Sequence, residues 1–220
     1  MDFGLLIQTI AISALPVIFA ITLHEAAHGY AARHFGDTTA WVAGRISLNP
    51  LRHIDPIGTL LVPGLILATS YLASGSAMLF GWAKPVPVNF SRLRNPLRDM
   101  VWVAAAGPAA NLGMVLAWAL VLKLTDVLPA NIYSLPLAEM SEIGIGINLV
   151  LMVLNLLPLP PLDGGRIAVG LLPYRLAAPL SRLEPWGFPI LLVLLFTGIL
   201  NDILWPIVNG FERLILLFLN

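Results

Sequence analysis

The sequence predicts an all-α polytopic membrane protein with about five or six transmembrane or re-entrant segments, and three observations lead there. Of its 220 residues 58% are hydrophobic and 11% charged, and the mean hydropathy of +0.87 lies far above the soluble balance. Several apolar runs approach or exceed the roughly 20 residues that a helix needs to cross a hydrocarbon core about 30 Å thick. Basic residues fall between those runs with the alternation that membrane orientation requires. The twelve Lys/Arg cancel the twelve Asp/Glu, so there is no basic field to recruit nucleic acid and no acidic tail to bind basic partners. The lipid bilayer is the first partner.

In chain order, clear spans are Gly4 to Ala32, Met100 to Leu122 and Ile143 to Leu157 onward, with a fourth expected at Trp186 to Leu200. The first run does not read as a secretory signal: Asp2 replaces a basic start, the run is too long, and it contains His24, Glu25 and His28. Two further stretches are ambiguous. Pro63-Gly64 interrupts Ile57 to Phe80, and Glu212-Arg213 sits inside Trp205 to Leu219.

Arg33, Arg45 and Arg52 follow the first span, Lys84, Arg92, Arg94 and Arg98 precede the second, and Arg166, Arg175 and Arg182 follow the third. These segments are expected on the cytosolic side. The connection from Thr125 to Glu142 carries Asp126, Glu139 and Glu142 without Lys or Arg and is expected outside. With cytosolic flanks at both ends, Ile57 to Phe80 is best read as a re-entrant hairpin turning near Pro63-Gly64. Backbone that leaves helical geometry at such depth must pack in protein or line a wet cavity.

His24-Glu25-Ala26-Ala27-His28 is an HExxH pattern inside an apolar helical run. Residues four apart lie on one helix face, so both imidazoles can grip one Zn²⁺, with Glu25 placed to act as general base. The bland alternative, a chance match, is weakened by the setting. A central charge in a transmembrane helix costs about 2.5 to 3.5 kcal/mol even on the lenient insertion scale, so ionisable groups there read as functional. Counting from His24 to Arg33 at about 1.5 Å per residue puts the site on the order of 10 Å below the cytosolic boundary. Water must reach that depth.

A catalytic zinc takes three protein ligands and keeps one open position. With no cysteine in the chain, the third ligand must be a His or a carboxylate. His34 is near the charged surface and His53 sits in Arg52-His53-Ile54-Asp55, which reads as a solvated loop. Asp163 is the stronger candidate, because it closes the almost wholly apolar run from Ile147 to Leu162 and precedes Gly164-Gly165, where backbone can approach a neighbour closely. Its alternative role is to cap the helix that follows.

Together with Asn155-Leu156-Leu157-Pro158-Leu159-Pro160-Pro161-Leu162-Asp163-Gly164, this pattern resembles the site-2 protease family, intramembrane zinc metalloproteases of peptidase family M50. The resemblance covers most of residues 15 to 170. It implies one Zn²⁺ per chain on His24, His28 and Asp163, Glu25 as catalytic base, and Asn155 contacting the substrate backbone or the developing oxyanion. A helix-packing hydrogen bond is the other reading of Asn155. Gly107-Pro108-Ala109-Ala110-Asn111 looks like the family's pattern in the helix between the two motifs; we read it as packing first, with Asn111 in substrate contact second. Trp41 to Leu48 and Gly81 to Val88 resemble short membrane-associated β-strands beside the active site, open to strand addition by an extended substrate, or else are ordinary loop.

The resemblance implies regulated intramembrane proteolysis: hydrolysis of peptide bonds within or near the transmembrane helices of membrane protein substrates. The chain then reads as a single domain over 1–220, with a catalytic core over about 4–172 and carboxy-terminal membrane segments over about 186–220. No stretch is long enough for the PDZ or CBS domain that some relatives carry. A prokaryotic inner membrane, with the site near the cytosolic face, is the expected setting. Two rivals remain: a metal transporter, which would need ligands along a path that the other spans hardly offer, and a catalytically silent scaffold of the same fold.

Overall fold

The computed structural model describes residues 3–62, 64–66, 69, 81–129, 131 and 133–219. Among these the regular elements are all helical. The principal helices are α1 (Phe3–His34), α2 (Thr39–Val42), α3 (Pro96–Asp126), α4 (Ser134–Asn155), α5 (Asp163–Leu171), α6 (Tyr174–Ser181), α7 (Glu184–Phe196) and α8 (Ile199–Leu219). Apolar residues without a local polar competitor for the backbone favour these helices, and Pro96 opens α3 at the first helical position, where its missing N–H costs nothing.

Helix α3 is the hub, packing against α1, α4 and α5. Its outer half meets α4, α7 and α8 in the main core, where Val115, Trp118, Leu149, Met152, Leu191 and Leu204 are buried together. A smaller cluster, with Ala32, Leu93, Met100 and Val103 buried, joins the carboxy-terminal end of α1 to the start of α3. Lipid tails are as apolar as leucine, so close approach and buried hydrogen bonds, more than water exclusion, hold such spans together.

Residues Ala11–His34 of α1, with α3 and α4, are long and apolar enough to cross a membrane, and α6 with α7, which meet at 69°, make a fourth if read as one broken span. The chain is therefore a multi-pass membrane protein with three to four such segments among the described residues, which leaves the expected count of five or six unconfirmed. The fourth expected span is α7, whose 13 residues reach only about 20 Å. The stretch Trp205 to Leu219 lies in α8, which is amphipathic. Leu200, Leu204 and Val208, continued by Phe211 and Ile215, form its packed stripe, while Asp202, Asn209 and Arg213 are exposed. Of Ile57 to Phe80, Pro56–Leu61 forms a wide π-type helical turn; Pro63 and residues 70–80, which carry most of the expected re-entrant hairpin, lie outside the described residues.

No β-strand occurs among the described residues. Trp41 opens the expected first strand inside the short helix α2. Residues 81–89 carry no regular secondary structure and form a strap without a ladder. The N–H groups of Trp82 and Lys84 donate to Gly58 O and His53 O, both at 2.9 Å, and that of Val86 donates to Glu25 Oε2. Pro85 and Pro87 hold the alternate positions and have no N–H to offer a second strand.

Candidate metal centre

The first wall of the site is α1. One helical turn apart, His24 and His28 direct their Nε2 atoms to within 3.1 Å of each other. The chain enters α5 directly at Asp163, whose Oδ2 stands 3.3 Å from each of those nitrogens. Leu162 occupies the N-cap position and no side chain caps the helix, so the carboxylate is turned to the histidines rather than to the backbone of its own helix. A Cβ on Gly165 would stand 2.5 Å from the Leu159 carbonyl carbon; only glycine lets the start of α5 tuck under the preceding loop.

His28 Nδ1 donates to Val103 O at 2.7 Å, and His24 Nδ1 lies 2.6 Å from Asn111 Oδ1. With each Nδ1–H engaged by an oxygen, each Nε2 presents a lone pair. Asp163 Oδ2 is itself buried with no hydrogen-bond donor. Three electron-pair donors thus face one point, an arrangement that repels itself unless a cation sits among them. Tetrahedral nitrogen and oxygen ligands at zinc's preferred lengths stand about 3.3–3.4 Å apart, so the observed edges of 3.1, 3.3 and 3.3 Å fit that ion. Among the described residues, His24, His28 and Asp163 form the one group of three His or carboxylate side chains with ligand atoms within 4.8 Å of one another.

Glu25, half-buried, faces the same cavity of about 290 Å³ together with Val86, Phe90, Asn155 and Arg166. Its Oε2 accepts the Val86 N–H at 2.7 Å. Asn155 is the last residue of α4 and donates to Leu151 O at 3.0 Å. Arg166 stacks its guanidinium 4.7 Å from the Phe90 ring centre and pairs with Glu184 at 3.2 Å. The remaining sequence candidates lie elsewhere. His34 is exposed. His53 is 3% exposed and donates to Ser47 O at 2.8 Å, so its loop is packed rather than solvated. Asn111, read as packing first and substrate contact second, is fully buried behind the histidines, its amide donating to Asn148 Oδ1 at 2.8 Å.

A second anchor holds the strap beside the cavity. Asp37 accepts from Thr39 N and Thr39 Oγ1, and from Asn89 N at 2.6 Å. Burial pushes its pKa up, but these hydrogen bonds and the Arg92 charge outweigh burial and hold the carboxyl below the ordinary aspartate range.

Val86 and Asn148 escaped the sequence reading. A backbone donor has no side-chain signature, whereas Asn148 had one: it is an amide inside an otherwise apolar run.

Among known proteins, the family model described as Peptidase family M50 matches residues 126–198, the stretch with Asn155 and Asp163. The zinc metalloprotease candidate YwhC of Bacillus subtilis (strain 168) is 39% identical over 93% of this chain and 89% of its own length. This chain belongs to peptidase family M50. The zinc metalloprotease candidate Rip2 of Mycolicibacterium smegmatis is 34% identical over 88% of this chain and 70% of its own. No solved structure matches. Membership in M50, the site-2 protease family, makes the chain a metalloendopeptidase and implies zinc, for which His24, His28 and Asp163 form a candidate group.

Proposed function

We propose that this M50 metalloprotease works inside the bilayer, hydrolysing peptide bonds within or near the transmembrane helices of membrane proteins. One Zn²⁺ would be held by His24, His28 and Asp163. The observation that carries this reading is the triangle of lone-pair donors next to Glu25 on a helix apolar enough to span a membrane. Bound there, zinc supplies Lewis acidity and lowers the pKa of water to about 7.

The remaining chemistry belongs to the chain. Glu25 takes the proton of the attacking water and returns it to the leaving amine. Val86 N–H fixes one oxygen of that carboxylate, leaving the other as the acceptor. Asn155 supplies an amide N–H to the developing oxyanion. The substrate must unwind first, since a carbonyl within a helix is shielded and already hydrogen-bonded. The strap, whose Pro85, Val86 and Val88 line the cavity, offers an unwound segment a neighbouring backbone to lie against.

Arg33, Arg45, Arg52, Lys84 and Arg94 belong to the segments around the carboxy-terminal end of α1, where Arg94 donates to His34 O. By the positive-inside rule this end faces the cytosol, which puts the site near the cytosolic side of a prokaryotic inner membrane. The test is Glu25→Gln, assayed with a membrane protein carrying a cleavable transmembrane helix. Cleavage should fall by about 10²- to 10⁴-fold with zinc content unchanged, and undiminished cleavage would overturn the mechanism.

A further inference from the structure

The two imidazoles share one neighbour on their far side, the face of α3 that carries Val103, Gly107 and Asn111. These three residues recur every four positions and so form a single stripe. A backbone carbonyl can only accept, so Val103 O requires the proton of His28 to lie on Nδ1.

The equivalent constraint on His24 is relayed through two asparagines that are both 0% exposed. Asn148 Nδ2 donates to Gly144 O at 2.8 Å, which turns the Asn148 oxygen toward Asn111. The Asn111 nitrogen answers it at 2.8 Å and also donates to Ala20 O at 3.3 Å. Asn111 Oδ1 must then face His24, where it accepts Nδ1–H at 2.6 Å. The two backbone carbonyls at the end of this chain, Gly144 O and Ala20 O, fix every donor and acceptor along it.

Between the two fixed contacts lies Gly107. A Cβ there would fall 2.6 Å from His24 Cε1 and 2.6 Å from His28 Cε1, so the stripe supplies space as well as acceptors.

We infer that Asn111 and Asn148 are positioning residues of the metal centre: their hydrogen-bond chain sets the tautomer and ring rotation of His24, as Val103 O does for His28. The inference rests on the zinc site proposed above and extends it by one layer, from α1 to α3 and α4. Partners of this kind hold a ligating imidazole in register and raise its basicity, and losing one weakens metal binding by about 10- to 100-fold. The rival account is that the asparagines are only glue between α1, α3 and α4.

The two accounts separate in the detergent-purified full chain, by zinc affinity from chelator competition and by the visible spectrum of the Co²⁺-substituted protein. Asn111→Leu removes the acceptor, and zinc affinity should drop about 10- to 100-fold, with a changed Co²⁺ ligand-field spectrum. Asn111→Asp keeps an acceptor for His24 but removes the donor to Asn148 and Ala20. It should retain zinc at least tenfold better than Asn111→Leu, whereas glue alone predicts equal losses. Asn148→Leu should weaken zinc less than Asn111→Leu does. Wild-type affinity in Asn111→Leu, or equal losses in Asn111→Asp and Asn111→Leu, overturns the inference and leaves the zinc site standing. Where Asn111→Leu fails to fold, the Asp variant decides against wild type: retention within tenfold supports the inference and a larger loss overturns it. A wild-type protein that binds no zinc removes the site itself.

Discussion

The cavity has two walls built on opposite principles. The helical wall, made by α1, α3, α4 and the start of α5, engages the Nδ1 of each histidine, both polar ends of Asn111 and the oxygen of Asn148 across helices, while the Asn148 nitrogen bonds back to Gly144 O of its own helix. The strap of residues 81–89 is tied at separate points instead: Lys84 N to His53 O, Val86 N to Glu25 and Asn89 N to Asp37. Each of these backbone ties is one hydrogen bond, of net worth about 0.5–1.5 kcal/mol, or about 1.5–3 kcal/mol where the acceptor is charged, and side chains add Arg45 on Lys84 O and Thr59 on Trp82 O. The proposed metal ligands therefore sit on the wall packed from several helices. Glu25, the proposed base, leans on the strap.

Gly107→Ala strikes the rigid wall hardest. The new methyl meets both imidazole rings in packing that cannot relax cheaply, where overpacking costs about 1–3 kcal/mol. Zinc affinity should fall more than tenfold, read by chelator competition; unchanged affinity would mean that α3 yields and that the helical wall is softer than described.

The effect at the strap should be smaller and should spare zinc. Asp37→Asn replaces one of the two oxygens that hold Thr39 and Asn89 with a donor. It should raise amide exchange at Asn89 several-fold, the scale expected from losing about 1 kcal/mol of one hydrogen bond, with zinc affinity unmoved. Acid should do the same. The folded pKa of Asp37 lies below its ordinary value, so its contribution is present above the unfolded value of about 3.9 and is lost as pH falls through the lower folded one. Asn89 exchange corrected for intrinsic rate should then rise only below about pH 4. A rise that begins near neutrality would assign the anchor to another group.

Much of the rigid wall was legible in the sequence because its chemistry is local. HExxH puts two imidazoles on one face by helical periodicity alone, and Asp163 stands out as a carboxylate closing an apolar run. What joins α1 to α3 and α4 was not legible. His24 and Asn111 are 87 positions apart and Asn111 and Asn148 are 37 apart, and periodicity carries no information on which faces meet. Gly107 to Asn111 was noticed as a pattern, but its task, making room for and orienting imidazoles, depends on a neighbour that only the fold supplies. For the strap the sequence left strand and ordinary loop both open, and Pro85 and Pro87 count against the ladder. In α8, Glu212-Arg213 made the sequence ambiguous; beside the packed stripe of Leu200, Leu204 and Val208, Arg213 is exposed and Glu212 half-buried.

Zinc content tests the centre most directly. Elemental analysis of the detergent-purified chain, beside Asp163→Ala, should give about one zinc per wild-type chain, as a site with three protein ligands and one open position requires, and markedly less in the variant. No zinc in the wild type even after zinc is added back, or equal zinc in both proteins, would contradict the assignment of His24, His28 and Asp163 as the metal ligands.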